Sequence, residues 1–125
     1  MSLPRLSNPA QVAQWAAAFG QALDRLIEDV REVRGVQSVT DDYTATNRDA
    51  LILCDATSAA FTVTLYSAVG NKGRKIAVKK TDSSANAITV DGNGSETIDG
   101  STTVSLSSQY AVKHLQSDGE NWWVI

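Results

Sequence analysis

The stretch AFTVTLY, residues 60–66, alternates between apolar and hydroxyl side chains. Phe61, Val63 and Leu65 fall on one side of an extended chain, and Thr62 and Thr64 fall on the other. Successive side chains of a β-strand point to opposite faces, so this alternation predicts a strand with one buried face and one polar face. The stretch therefore places the second part of the chain among β-rich structures.

Similar segments continue towards both ends of this part, from about residue 39 onwards. Turn sequences rich in Gly, Asn, Asp and Ser separate them at 70–73, 83–86, 91–94, 98–101 and 117–121. Short strands with regularly spaced turns are typical of antiparallel sandwiches and barrels. We therefore predict a small antiparallel β-sandwich or barrel over residues 37–125, in which the further strands are ALILC, KIAVKK, AITV, TTVSL, QYAVKHL and NWWVI.

The last of these strands is apolar on both faces. In NWWVI, Trp122 and Val124 point to one side, while Trp123 and Ile125 point to the other. A strand of this kind belongs between layers or between subunits. Since aromatic faces also stack on sugar rings, Trp122 and Trp123 are candidate interface residues or glycan contacts.

Residues 9–34 have a different pattern. Asn8 can cap a helix, Pro9 suits its first turn, and Gly35 stops it, so residues 1–36 are predicted to form a helical stalk or attachment segment. Its apolar positions repeat every 3.5 residues, which favours a short parallel coiled coil. The predicted oligomer interface, called the seam below, consists of Val12, Ala16, Phe19, Leu23, Leu26, Val30 and Val33. The alternative, a helix packed on its own β-domain, stays open, as does the choice between dimer and trimer. The predicted fold class is thus α+β, mainly β.

Composition argues against several functions. The 125 residues carry a net charge of −3, so no nucleic-acid partner is expected. No apolar run approaches the roughly 20 residues that span a bilayer, so membrane insertion is not expected either. Lys72, Arg74, Lys75, Lys79 and Lys80 form a local basic cluster, whose alternatives are a solvated hairpin and contact with an acidic partner.

No constellation of catalytic, cofactor-binding or metal-ligating residues is complete. The one histidine, His114, has no nearby candidate nucleophile, and the one cysteine, Cys54, lies in an apolar run that suggests a buried thiol. The segment DGNGSETIDG, residues 91–100, resembles the start of a calcium loop but has Glu96 at its sixth position, where a sharp turn needs glycine. We therefore expect a protein that is not an enzyme and binds no cofactor or metal.

Three longer stretches resemble a domain that recurs in tailed-bacteriophage virion proteins, particularly tail-fibre and related appendage proteins. They are YTATNRDALILCDATSAAFTVTLYSA (43–68), GRKIAVKKTDSSANAITVDGNGSETIDGSTTVSLSS (73–108) and QYAVKHLQSDGENWWVI (109–125), together roughly 80 of the 125 residues. The order of their motifs carries the resemblance, from Y-T-x-T through T-V-T-L, I-x-V-K-K and T-I-D-G to S-D-G-x-x-W. One departure is Tyr66, where a proline often follows the T-V-T-L strand.

The resemblance implies a homotrimeric, β-rich domain of a virion assembled in the host cytoplasm. Its expected partners are further copies of itself and other virion proteins, with a host-surface glycan as another candidate. The first functional hypothesis is a small trimeric tail-fibre or tail-tip protein. The alternatives are a capsid decoration protein or head fibre and, from another class, a carbohydrate-binding module.

Overall fold

The computed structural model describes residues 35–125. This part of the chain is built of strands and contains no helix. The nine strands, in chain order, are β1 (Gly35–Val39), β2 (Tyr43–Thr44), β3 (Asp49–Cys54), β4 (Phe61–Thr64), β5 (Lys75–Lys80), β6 (Ile88–Asp91), β7 (Thr103–Leu106), β8 (Val112–Ser117) and β9 (Trp122–Val124). The prediction of a mainly β structure is confirmed for these residues, while the predicted helix and its seam lie outside them.

The strands form two sheets, and the chain alternates between them. The five-stranded sheet has the order β1-β3-β5-β8-β9, and the four-stranded sheet has the order β2-β4-β6-β7. Up to β6 each strand is followed by one in the other sheet, so three successive turns of chain stack as coils of a two-layered spiral. Only the last three strands break this alternation.

The prediction that the sheets are antiparallel is wrong. Because every coil winds in the same direction, β1, β3 and β5 are parallel to one another, and so are β2, β4 and β6. Antiparallel pairing appears only where β7, β8 and β9 are added. Both sheets are therefore mixed, and each parallel connection passes through the opposite sheet instead of through a helix.

The two sheets enclose one hydrophobic core, to which the alternating residues of each strand contribute. Val63 of β4 and Val90 of β6 face Ile52, Val78 and other apolar residues of the five-stranded sheet. The core side chains that are almost completely excluded from solvent include Ile52, Cys54, Val63, Leu65, Ile76, Val78, Ile88, Val90, Ile98, Leu106, Leu115 and Trp122. Burying side chains of this size stabilises the fold by roughly 1.5–3 kcal/mol each.

Aspartates join the turns of neighbouring coils. The carboxylate of Asp42 accepts a hydrogen bond from the main-chain N–H of Thr62 (2.8 Å), and Asp82 accepts one from Ala56 (2.8 Å). The first bond ties the β1–β2 turn to β4, and the second ties the β5–β6 turn to the β3–β4 turn. Both bonds therefore hold neighbouring coils together in addition to the pairing of the strands.

The turn between β6 and β7 depends on Gly92. A Cβ atom at this position would lie 2.3 Å from the carbonyl oxygen of Glu96, a distance that no side chain can accept. The main-chain N–H of Gly92 donates to Thr102 (3.0 Å), and that of Glu96 donates to Asn93 (2.9 Å). The turn therefore folds back on itself because glycine leaves room for the crossing chain.

Candidate functional site: the outer face of the five-stranded sheet

The side of the five-stranded sheet that faces away from the core is largely apolar. The strand register aligns Val36 of β1 with Leu51 of β3, then with Ala77 of β5 and His114 of β8. The main-chain N–H of Ile125 donates to His114 (2.8 Å), so Ile125 ends this row. We call this surface the apolar face, and it comprises Val36, Ser38, Leu51, Leu53, Lys75, Ala77, Lys79, Val112, His114, Gln116, Trp123 and Ile125.

Several apolar side chains on this face are exposed in the single chain. Val36 is 59% exposed, Trp123 48% and Ile125 59%. Among residues 35–125, six large hydrophobic side chains are exposed, and four of them, the three just given and Val112, lie on this one face. Exposed apolar side chains that share one surface often mark a contact site, so this unequal distribution makes the face a candidate functional site.

The outer side of the four-stranded sheet has the opposite character. The register places Thr62 beside Thr89 and Ser105, and Thr64 beside Asp91 and Thr103. These side chains alternate with the core residues of the same strands, and hydroxyl groups are well solvated by water. The two outer surfaces therefore differ in kind, since polar side chains line one and large apolar side chains are exposed on the other.

The row from Val36 to Ile125 contains one polar side chain, that of His114, and the other polar groups of the face lie beside the row. Lys75 and Lys79 lie on either side of Ala77 along β5, and the ammonium group of Lys79 is 5.6 Å from the ring centroid of Tyr110. Long lysine side chains can place their charge at the rim while the aliphatic stem stays on the sheet. His114 is the one ionisable group within the row itself.

The surface is concave near its centre. A depression of about 220 Å³ is lined by Ala50, Lys75, Ile76, Ala77, His114, Leu115 and Ile125. The small side chain of Ala77 forms part of its lining, in the middle strand of the five. A sheet with a small residue at its centre allows another surface to approach closely.

The two adjacent tryptophans have different environments. Trp122 is fully buried and packs edge-on against Tyr66, with ring centroids 5.0 Å apart and an interplanar angle of 83°. Tyr66, which departs from the proline of the family pattern, is thus a core residue. Since Trp122 has no exposed surface, only Trp123 of the pair can contact a ligand or partner from outside.

A carboxylate fixes the ring of Trp123. Its indole N–H donates to Oδ2 of Asp118 (2.7 Å), and Oδ1 accepts from the main-chain N–H groups of Glu120 and Asn121 (both 2.8 Å). The bonds from Asn121, Trp123 and Glu120 lower the pKa of Asp118 to about 2. Trp123 is therefore presented at the surface in a defined orientation.

Other residues singled out by the sequence have structural roles here. Burial, aided by the negative charge of Asp82, raises the pKa of the Cys54 thiol to about 12. Glu96 of the calcium-like segment accepts hydrogen bonds from the main-chain N–H of Ala68 (2.8 Å) and the hydroxyl of Ser67 (2.7 Å). Its carboxylate anchors the β4–β5 connection, which explains why glutamate can occupy this position.

Lys80 does not belong to a surface basic cluster. Its side chain is fully buried, and Nζ lies 2.6 Å from Oδ2 of Asp82, whose side chain is 5% exposed. Burial alone would raise the pKa of Asp82, but hydrogen bonds from Lys80, Ser84 and the main chain of Ala56 outweigh it and hold that pKa well below its usual range. The alternation of KIAVKK could have indicated that Lys80 is buried, because it places Lys80 on the same face as Ile76 and Val78.

Sequence reasoning missed most of the apolar face. The signal for it is present in ALILC and QYAVKHL, which are apolar at successive positions and so have apolar side chains on both faces. Only for NWWVI does the sequence pattern lead to a prediction of two apolar faces. The predicted seam residues, Val12 to Val33, lie outside the described part of the chain.

Residues 35–125 contain no group of three or more His, Cys, Asp or Glu side chains that could hold a metal ion. No helix in this range is long and apolar enough to cross a membrane. Comparisons of the whole chain with models of known protein families and with curated proteins find no match.

Proposed function

We propose that the chain is a non-enzymatic structural subunit of a bacteriophage virion, a small trimeric tail-fibre or tail-tip protein. The observation that carries the structural role is the apolar face, on which Val36 is exposed at one edge of the five-stranded sheet and Trp123 and Ile125 are exposed at the other. Exposed apolar surface of this kind often marks a contact site for another protein. The assignment to a virion is supported by the ordered sequence motifs of residues 43–125.

The predicted seam supports the same function. Seven apolar positions repeat at 3.5 residues from Val12 to Val33, as in helices that associate with copies of themselves. A segment predicted to self-associate and a β-domain with an apolar face are both expected of a subunit that is built into a particle. Other virion proteins would then bind the assembled oligomer.

The location on the particle distinguishes this proposal from a capsid decoration protein or head fibre. Intact particles of the bacteriophage that encodes this chain would be incubated with a gold-labelled antibody against residues 35–125. Gold at the tail tip or tail fibres is the expected result, whereas gold on the capsid surface favours the decoration or head-fibre alternative. Absence of gold from virions, with the protein present in the lysate, would contradict a virion role.

One observation favours the carbohydrate-binding alternative. Trp123 is half-exposed and its ring is oriented by Asp118, which is how an aromatic platform for a sugar ring would be held. This function predicts glycan binding that is lost in Trp123→Ala. Val69→Ala, at an exposed turn, is the control that keeps binding. A glycan array without signal from the oligomer would remove the alternative.

A further inference from the structure

We infer that Asn93, in the turn between β6 and β7, is a site of spontaneous deamidation, and that this reaction opens the turn as the folded protein ages. The reaction consumes only water, and it leaves an aspartate or an isoaspartate at position 93. The inference goes beyond the proposed function and does not depend on it. It rests on the geometry of the turn and on the surroundings of the five asparagines in residues 35–125.

The main chain after Asn93 leaves the attacking nitrogen open. Gly94 is exposed, and its φ is 57°. Apart from its chain neighbours, no heavy atom lies within 4 Å of the point where a Cβ atom of Gly94 would stand. No group in residues 35–125 accepts a hydrogen bond from its main-chain N–H. The positive φ favours glycine, and glycine leaves its own nitrogen accessible because it has no side chain.

The side-chain amide of Asn93 is held by one long hydrogen bond. Its Nδ2 donates to a main-chain carbonyl oxygen over 3.4 Å, which is near the limit for a hydrogen bond. By comparison, Nδ2 of Asn71 and Nδ2 of Asn86 each donate over 2.8 Å to main-chain carbonyl oxygens. Oδ1 of Asn121 accepts a main-chain N–H over 2.9 Å. The amide of Asn93 is therefore freer to rotate towards an attacking group.

The residue that follows each asparagine also favours position 93. In residues 35–125, Asn93 is the one asparagine that precedes a glycine. Asn47 is exposed but precedes Arg48, whose side chain hinders the approach of the main-chain nitrogen. Asn47 therefore serves as an internal control, because it has the exposure without the glycine.

The reaction is balanced by water alone. The main-chain nitrogen of Gly94 attacks Cγ of Asn93 and gives up its proton to water or hydroxide. As the bond from this nitrogen to Cγ forms, the bond from Cγ to Nδ2 breaks, and Nδ2 leaves as ammonia with a proton from water. Water then opens the five-membered imide. Attack of water on Cγ gives aspartate, whereas attack on the main-chain carbonyl carbon gives isoaspartate, in which the chain runs through the side chain.

The aspartate product weakens the turn through its charge. A carboxylate at position 93 replaces the donor Nδ2, so that an oxygen that can only accept would face the carbonyl oxygen of Leu65. Asp91 and Glu96 lie in the same turn sequence, and like charges repel one another. This product therefore loses one hydrogen bond and gains repulsion.

The isoaspartate product changes the path of the main chain. The carbonyl oxygen of Asn93 accepts from the N–H of Glu96 (2.9 Å) and closes the turn, but in isoaspartate this carbonyl becomes a free carboxylate. The extra methylene in the chain finds little space, since even a Cβ at Gly92 would lie 2.3 Å from the carbonyl oxygen of Glu96. A displaced Glu96 would also release the β4–β5 connection that its carboxylate anchors.

The test follows the mass of each asparagine-containing peptide. The full-length protein is kept at pH 8 and at pH 5 and is digested at intervals, and deamidation raises the mass of a peptide by about 1 Da. A synthetic peptide with the sequence of residues 90–96 is kept under the same conditions. At pH 8 we expect position 93 to deamidate at least about fivefold faster than Asn47, and within about tenfold of the rate in the peptide. At pH 5 the rate should be lower, because the attacking nitrogen has to lose a proton.

Two variants connect the reaction to stability. Asn93→Ala cannot form the imide, so storage at pH 8 should leave its melting temperature unchanged. The wild type should lose about 4 °C or more as isoaspartate accumulates. Asn93→Asp imitates the milder product, and we expect it to show a smaller loss from the start. Thermal unfolding followed by circular dichroism measures all three proteins.

Three outcomes would overturn the inference. Position 93 could deamidate no faster than Asn47. The folded chain could react more than about tenfold more slowly than the peptide, which would show that the folded turn protects the asparagine. Stored Asn93→Ala could also lose as much stability as the stored wild type. Antibody labelling of virions decides the proposed function separately from all of these results.

Discussion

The two neighbouring tryptophans have different roles because successive side chains of a strand point to opposite faces of the sheet. Trp122 fills the core against Tyr66, while Trp123 faces outwards from the same strand and donates to Asp118. Removing the Trp122 side chain would leave a large cavity and cost about 3–5 kcal/mol. Removing that of Trp123 would mainly change the surface, so the two positions separate stability from binding.

The bond between Trp123 and Asp118 gives a prediction about pH. Because hydrogen bonds lower the pKa of Asp118 from 3.8 to about 2, its stabilising contribution is complete above about pH 4 and is lost as the pH falls through about 2. The indole N–H resonance of Trp123 should therefore stay in place from pH 5 to pH 3 and shift only below this range. Asp118→Asn is the control, since it should show no such titration. A shift centred near pH 4 would contradict the hydrogen-bonded arrangement.

At the scale of elements, the strands were predictable and their directions were not. Alternation in AFTVTLY and KIAVKK indicates which residues face inwards, and Val63, Ile76 and Val78 are all buried. Alternation looks the same whether the neighbouring strand is parallel or antiparallel. The sequence pattern therefore could not predict that the chain winds in coils whose successive strands are parallel. The short turns suggested hairpins, but up to β6 every connection crosses to the opposite sheet.

The buried ion pair at the end of β5 could not be predicted from the sequence pattern either. Lys80 and Asp82 are two residues apart, and their role depends on Ala56 and Ser84, which accompany them only in the fold. The pair joins the β5–β6 turn to the β3–β4 turn. A buried charge in a core requires such a partner, since an unpaired one is costly.

Lys80→Met is predicted to destabilise the domain strongly, because it leaves the carboxylate of Asp82 without its cation. Breaking a buried ion pair of this kind should lower the melting temperature by about 10 °C or more. Lys75→Met, at the exposed start of the same strand, should change it by only a few degrees, about 2 °C. Thermal unfolding followed by circular dichroism at pH 7 measures both values.

The pH dependence of this effect has a definite sign. The lowered pKa of Asp82 means that the ion pair stabilises the folded protein above about pH 4 and that this contribution declines on acidification. The difference in melting temperature between the wild type and Lys80→Met should therefore narrow below about pH 4. A difference that is constant from pH 7 to pH 2.5 would assign the loss to packing instead of charge.

At the scale of the whole molecule, the sequence predicts self-association through residues 12–33, and residues 35–125 carry an apolar face on one of their two sheets. The heptad pattern can be recognised because its spacing is local in the sequence, whereas the apolar face is assembled from five strands that are distant in sequence. Val36 and Ile125, at the two ends of the row, are 89 positions apart in the chain, and only the register of the sheet places them on the same outer surface. This is why the candidate site could not be predicted as a unit.

The predicted seam gives the last prediction. Leu23→Asp combined with Leu26→Asp places carboxylates in the middle of the predicted seam, where neighbouring helices would have to bury them. The mass in solution should fall from about three times the 13.3 kDa of the chain to that of one chain at micromolar concentration, because the carboxylates would prevent the helices from packing at the predicted seam. Gln21→Asp combined with Arg25→Asp, which lie off the seam, is the control that should keep the larger mass. Light scattering coupled to size exclusion measures these masses, and retention of the wild-type mass in the Leu23 and Leu26 pair would show that residues 12–33 do not form a coiled coil.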